Sequence, residues 1–510
     1  MTGAVLDPSF TALPYRQLGD AALERARALG ASHADFRFER VRYQQLGVRD
    51  GVLQGAADSE DLGFAVRVIH RGAWGFAAGV VLTAEEAVAV AERAVEVARV
   101  AAEMTTVPVE IAPEPTYDDV TWVSAYERDP FAVPTSEKAE LLVDWTNRLR
   151  RHAAVQHATA SLQQVHENKY YADLAGTRTT QQRVRLQPSF EAMGTDEASG
   201  VFDSMASIAP PVGRGWEYLT DGYDWEAELE QVPELLAEKL TAPSVEAGTY
   251  DLVIHPSNLW LTIHESIGHA TELDRALGYE ANYAGTSFAT YDRLGNLQYG
   301  SSVMNVTGDR TVDHGLATSG YDDEGVATQA WDIIRDGVLV GYQLDRTMAA
   351  MKPELSPEHP GGRSNGCAYA DSPGHIPIQR MANVSLQPSP EEVSTDDLIG
   401  RVERGLYVVG DKSWSIDMQR FNFQFTGQRF FRIEDGRLAG QVRDVAYQAT
   451  TTDFWNSMEA VGGRATWVLG GAFNCGKAQP GQVAAVSHGC PTSLFRDVRI
   501  LNTTDEAGQR

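Results

Sequence analysis

The sequence predicts an α+β protein of two domains. One is an N-terminal domain that mixes helices and strands; the other is a strand-rich, mostly antiparallel C-terminal domain built around one motif helix. Three observations predict this. The first half alternates helical and strand periodicity. The second half is punctuated by Asp-Gly and Gly-Gly pairs between apolar segments. A chain of 510 residues exceeds what one core accommodates. A Pro- and Gly-containing stretch at 241–248 separates the halves, giving domains 1–243 and 244–510.

In chain order, Asp20 is placed as the N-cap of a short helix over 21–29, with Gly30 just past its end. Residues 35–43 alternate with period two, as a half-buried strand does. Asp50-Gly51 marks a tight turn, and Arg71-Gly72 joins a hairpin of 64–69 and 74–78. Thr83 and Glu86 form a capping box for a long helix whose apolar face carries Val88, Ala91, Val95 and Ala98. A Pro/Asp-rich passage, a helix over 137–151 and strands within 155–193 around Ala175-Gly176 follow. A further helix over 225–240 is expected to kink or split at Pro233. Beyond it, Asp336-Gly337 and Asp435-Gly436 predict antiparallel hairpins. The pairs Gly361-Gly362, Gly462-Gly463 and Gly470-Gly471 mark loops.

A net charge of −27 and a pI near 4.8 argue against nucleic acid or an anionic membrane as partner, because both need a basic face. Three cysteines cannot build a disulfide framework, so a reduced, cytoplasmic setting is expected. Residues 1–8 lack the basic and apolar regions of a secretory leader, and no apolar run is long enough to span a bilayer.

The chemistry concentrates in His264-Glu265-Ser266-Ile267-Gly268-His269, which follows an apolar run containing Leu259, Trp260, Leu261 and Ile263. Two imidazoles beside a carboxylate are what a hydrolytic zinc site needs: neutral nitrogen ligands, and a base for water. The histidines are five apart, so a regular helix separates them by roughly 140°. A π-type bulge at 266–268 brings them together, with Gly268 tolerating the irregular backbone. The bland alternative is two unrelated histidines, one buried and one at a helix end. Glu272, three residues beyond His269 on the same helix face, is placed to accept the second ring N–H. Cys475 offers a third ligand, with Lys477 nearby to favour the thiolate. Its alternative is a small buried residue, and spacing does not choose among Cys367, Cys475 and Cys490. Asp322-Asp323-Glu324-Gly325 reads as a solvated turn rather than an acidic lip. His488 and Cys490 read as ordinary loop residues, His359 and His375 as solvent-facing, and Arg380 as half of an internal salt bridge.

At these residues the chain resembles the TldD/PmbA family, the modulator of DNA gyrase family, on its metal-bearing TldD side. His264 to His269 with Glu272 and Asp274 is similar to the family's His-Glu-x-x-Gly-His…Glu-x-Asp pattern. Further similarity lies in Asp322-Asp323-Glu324-Gly325, in Arg380-Met381-Ala382-Asn383 (Ala382 replacing a threonine), and in Cys475-Gly476-Lys477 followed by Ser487-His488-Gly489-Cys490-Pro491. The resemblance implies Zn²⁺ held by His264, His269 and Cys475, with Glu265 as the catalytic carboxylate. It implies an endopeptidase of unfolded or flexible peptides, maturing or degrading a peptide precursor. It also implies a dimer with a related, metal-free TldE/PmbA-like subunit, or with itself. Asp411-Lys412-Ser413-Trp414-Ser415-Ile416-Asp417 departs from the family's glycine-rich run there. Two alternatives remain: a zinc amide hydrolase of a small peptide-like metabolite, and a non-catalytic zinc-binding regulatory subunit whose site is closed by a fourth protein ligand.

Overall fold

The structure, a computed structural model, describes residues 5–506. Residues 1–4, which begin the stretch read as carrying no leader, lie outside the described residues, as do residues 507–510.

Seven strands build the first sheet: β1 (His33–Arg49), β2 (Val52–His70), β3 (Ala73–Gly79), β4 (Val120–Val123), β5 (His157–Asp173), β6 (Arg178–Thr195) and β7 (Phe202–Ala206). Their order is β3-β2-β1-β5-β6-β4, with β7 on β6. β1 is longer than its alternating segment, because β2 and β5 pair along nearly all of it. On one face of the sheet, Phe36, Phe38, Phe64, Val66 and Val68 pack against the helices Tyr15–Ala28 and Ala84–Ala102. Further along, Leu162, Leu186 and Phe190 pack against Thr135–Leu149 and Trp225–Thr241, where Trp145 stacks on Trp225 at 4.8 Å. The other face carries Arg37, Glu39, Arg67, Glu167, Lys169, Arg183 and Arg185, and it too is buried. The period-two pattern therefore marks a two-sided strand whose polar side meets the second half of the chain.

The second half is mostly antiparallel, as expected. β8 (Gly248–Ile254), β15 (Arg404–Ile416), β16 (Asn422–Glu434), β17 (Arg437–Val442), β18 (Val445–Thr450), β19 (Met458–Val461) and β22 (Ser493–Asn502) form one sheet. Its path runs β15-β8-β22-β18-β16, and a β15–β16 ladder closes that path on itself. β9 (Val306–Asp309), β10 (Ala330–Arg335), β11 (Val338–Leu339) and β14 (Asn383–Leu386) form a smaller sheet. Two strand pairs remain: β12 (Ala368–Tyr369) with β13 (Ile378–Gln379), and β20 (Val468–Lys477) with β21 (Gln482–Cys490). Among the strands of the described residues only β4–β6 and β8–β15 pair in parallel; two isolated bridges, Ser244 with Arg443 and Glu272 with Gln343, are parallel as well.

The turn chemistry holds. Asp50-Gly51, Arg71-Gly72, Asp336-Gly337 and Asp435-Gly436 each place two consecutive residues at positive φ, between 48° and 79°. Such turns match the twist of the strands they join. Several local expectations shift. Asp20 lies inside the helix Tyr15–Ala28, whose N-cap is Pro14, and its carboxylate accepts from Arg178 instead. Ala87, Val90, Ala91, Ala94, Val95 and Ala98 form the buried stripe of the second helix, and Val88 is only half-buried. The helix Trp225–Thr241 runs unbroken through Pro233. Gly470 and Gly471 lie within β20 rather than in a loop; a Cβ on Gly470 would come within 2.5 Å of the Trp260 ring.

β8 delivers the motif. His255 caps the next helix by accepting from the Ser257 N–H, and Pro256 occupies its first turn. All eight residues of Pro256–Ile263 are buried, packed on β14, β15, β20 and β21. The motif thus sits between the closed sheet and the β20–β21 hairpin.

A candidate metal centre in a two-sided cleft

His264–Gly268 forms one π-helical turn, closed by the His269 N–H donating to the His264 carbonyl. The carbonyls that this turn releases find other donors. Tyr299 Oη donates to Ser266 O, Thr271 Oγ1 to Ile267 O at 2.8 Å, and Gln343 Nε2 to Gly268 O at 2.7 Å. Gly268 itself has ordinary helical angles, φ −51° and ψ −59°. Its glycine is required by space: a Cβ there would come within 2.5 Å of Met381 Sδ.

The wider turn places the His264 and His269 rings 4.7 Å apart. Donor atoms of His264, His269 and Cys475 all lie within 4.8 Å of one another. Hydrogen bonds fix which nitrogens are offered. His488 Nδ1 lies 2.8 Å from the Val384 carbonyl, so it carries the proton, and its bare Nε2 accepts from His264 Nδ1–H at 2.8 Å. His264 is left with a free Nε2. His269 Nδ1–H donates to Glu272 Oε2 at 3.0 Å, leaving its Nε2 facing Cys475 Sγ at 3.5 Å. Burial holds the pKa of His264 below the usual histidine value and that of His488 well below it, so both rings are neutral. Burial alone would raise the Cys475 thiol, but its contact with the His269 ring and the nearby Arg380 guanidinium bring it below the usual value.

This donor set fits a tetrahedral, zinc-type ion. Bonds of about 2.1 Å to nitrogen and about 2.3 Å to sulfur set an N···S edge of about 3.6 Å, against the observed 3.5 Å. Cys367 and Cys490 are buried elsewhere, and burial pushes the thiols up, that of Cys367 to about 12.

Glu265 faces the same space. Its carboxylate accepts from Arg420 Nη1 at 2.9 Å, and Trp414 lines the same cavity. Burial opposes ionisation, but the Arg420 guanidinium paired with it favours the carboxylate. Arg420 sits at φ 62° in the turn joining β15 to β16. Asp417 builds that turn by accepting from the N–H groups of Gln419, Phe421 and Asn422. Asp411 accepts from Trp260 Nε1 at 3.1 Å. The segment that departs from the family pattern therefore forms the wall over Glu265. The centre opens into a cavity of about 810 Å³, bounded by Gln187, Pro188 and Ser189 of the first sheet and by Gly470, Gly471 and Asn474 of β20.

Other expectations change here. Glu272 reaches His269 across a break, not along a helix face: the helix ends at Thr271, and Glu272 is extended at φ −69°, ψ 117°. Lys477 does not serve the sulfur, because its ammonium bonds Asp274, the Gln379 carbonyl and Glu272. Among the described residues Arg380 makes no salt bridge; it donates to the carbonyls of Cys475 and Gln482, clamping β20 to β21. His488 lies in strand β21, fully buried, not in a loop. Asp322, Asp323 and Glu324 are buried rather than solvated. His375, against Asp371, and His359 are both half-buried. Arg420 went unread in the sequence, because a single arginine between Gln419 and Phe421 carries no signal.

A profile of the PmbA/TldA metallopeptidase C-terminal domain matches residues 247–502, and one of domain 1 matches residues 34–98. The chain belongs to the PmbA/TldD family. A relative named metalloprotease, from Methanothermobacter thermautotrophicus, is 28% identical over 475 residues, 92% of this chain and 96% of that protein. A zinc metalloprotease TldD homolog from Saccharolobus solfataricus is 23% identical over 482 residues, 94% of this chain and 98% of that one. The crystal structure of TldE from Thermococcus kodakarensis shares the PmbA/TldD fold, with a TM-score of 0.68 at 17% identity over 95% of this chain and 99% of its own. Among the described residues no helix is long and apolar enough to cross a membrane.

Proposed function

We propose that this PmbA/TldD member is a zinc-dependent endopeptidase of unfolded or flexible peptides, maturing or degrading a peptide precursor in the cytoplasm. The observation that carries the reading is the tautomer chain: His488 and Glu272 each take an Nδ1–H, leaving the Nε2 of His264 free and that of His269 facing the Cys475 sulfur, with donor atoms of all three residues within 4.8 Å of one another. These three residues would hold the ion, which when bound polarises a scissile carbonyl and acidifies water. Glu265, ionised and beside them, takes the proton from water and returns it to the departing amine. Arg420 fixes the carboxylate's direction in the meantime. β20 supports an extended peptide as substrate: among the described residues its one ladder is with β21, and its residues line the cavity, so its other edge can pair with a guest strand that brings main-chain bonds and little sequence selection. Pairing with a TldE/PmbA-like subunit, or with a second copy, completes the proposal.

The test is digestion of casein and of a flexible peptide library by the zinc-loaded protein. Glu265→Ala should retain metal and lose cleavage, whereas His264→Ala and Cys475→Ala should lose metal. Full cleavage by the Glu265 variant would overturn its role, and intact casein beside cleaved small peptides would favour the amide hydrolase.

A further inference from the structure

Away from the cleft, four arginines converge where the first sheet meets the second half of the chain. Arg183 and Arg185 come from β6, Arg310 follows β9, and Arg380 follows β13; Tyr369 and Met381 share the same small space. Its volume is about 10 Å³, the room of a single water-sized sphere. All four guanidinium-bearing side chains are buried.

Their charges are poorly matched. Glu167 alone serves two of them, accepting from Arg183 through one oxygen and from Arg185 through the other, each at 2.7 Å. Among the described residues, neither Arg310 nor Arg380 has a carboxylate within 4.0 Å. Arg310 makes one long contact, 3.4 Å, to Ser319 Oγ. Arg380 donates only to carbonyls. The Nε–H groups of Arg185, Arg310 and Arg380 find no protein acceptor. Asp322 and Asp323 border the adjoining space, but they are committed elsewhere: Asp322 to the N–H groups of Glu324, Val326 and Ala368, and Asp323 to Lys169 and the Ala370 N–H.

Buried guanidinium charge without a counter-charge is strongly unfavourable, and arginine does not discharge itself by losing a proton. We propose that this space binds one monatomic anion of the halide class, chloride under physiological conditions, gripped by Arg310 and Arg380 with Arg183 and Arg185 behind them. A space this small suits a monatomic anion better than sulfate, phosphate or a carboxylate, each of which needs room for several heavy atoms. The anion acts on more than local charge. Arg380 also holds the carbonyls of Cys475 and Gln482, on opposite strands of the β20–β21 hairpin. A bound halide therefore anchors the hairpin that carries Cys475 and His488, whatever chemistry the cleft performs.

Two measurements on the full chain test the site. Crystals grown in sodium bromide should show one anomalous peak among the four guanidiniums at moderate bromide concentration. Thermal unfolding at fixed ionic strength should show Tm rising saturably as chloride replaces gluconate, and Arg310→Met should abolish that dependence. A water in place of the peak, filling only at molar bromide, or equal Tm in both salts would overturn the proposal. If Arg310→Met fails to fold, the bromide map of the unaltered protein decides alone.

Discussion

His488 decides which nitrogen His264 presents. The Val384 carbonyl accepts only from a protonated Nδ1, so the His488 Nε2 lone pair is left to receive His264 Nδ1–H. Replacing His488 by Ala leaves that buried N–H without an acceptor and frees the ring to turn, since the Trp260 ring that stacks on His488 also loses its neighbour. His488→Ala should fold and bind zinc about 10–100-fold more weakly, the usual cost of removing a ligand's hydrogen-bond partner. Chelator competition reads the affinity, and an unchanged value would show that His264 is oriented by something else. The residue pattern carried His264, Glu265 and His269, because imidazole and carboxylate side chains in one hexapeptide already specify a chemistry. It did not carry the roles of His488, Arg420 or Lys477. Each of these acts on a residue distant in sequence, so its partner is set by the closed fold and not by its neighbours along the chain.

At the scale of the element, the five-residue spacing was legible because a helix advances each residue by a fixed angle, and only a π turn brings such a pair together. The reason for glycine at 268 was not legible. Its backbone is ordinary, and what forbids a side chain is Met381, which arrives from the loop before β14. Gly268→Ala should therefore destabilise by overpacking, about 1–3 kcal/mol. Met381→Ala alone opens a cavity and should cost about 2–5 kcal/mol. In the double variant the new methyl fills part of that cavity, so the combined loss should fall short of the sum of the single losses. Denaturant unfolding of the four proteins measures this coupling; strictly additive losses would place the constraint on Gly268 in its backbone after all. The hairpins, by contrast, were fixed by two-residue turn chemistry and needed no tertiary information, whereas the parallel pairing of β15 with β8, which closes the sheet, joins segments about 150 residues apart that no local pattern links.

Across the whole molecule, the alternating strands of the first sheet were readable as strands, but their polar face reads as solvent-facing until the second half of the chain is laid on it. Lys169 Nζ meets Asp323 Oδ2 at 2.6 Å and the Ala370 carbonyl at 2.7 Å. Arg67 Nη1 meets Glu324 at 2.8 Å, and Tyr369 donates to Glu167 at 2.9 Å. The acidic run at 322–324 was expected to be a hydrated turn because consecutive carboxylates usually are; here cations from another sheet neutralise it in the interior. These contacts join the sheet whose β6 walls one side of the cleft to the chain that carries His264, His269 and Cys475 on the other. A buried pair is costly to break because the surviving charge stays out of water, while an exposed pair is worth little. Lys169→Met leaves Asp323 with one backbone N–H, beside Glu39 and Glu167 from the same cluster. It should cost about 3–5 kcal/mol of stability. Arg148→Ala removes the pair with the exposed Glu226 and should cost about 0–1 kcal/mol. Parallel thermal or denaturant unfolding of the two variants checks the difference. A Lys169→Met loss no larger than that of Arg148→Ala would mean that the polar face is held by its hydrogen-bonded backbone, with its ion pairs contributing nothing to the joining of the two halves.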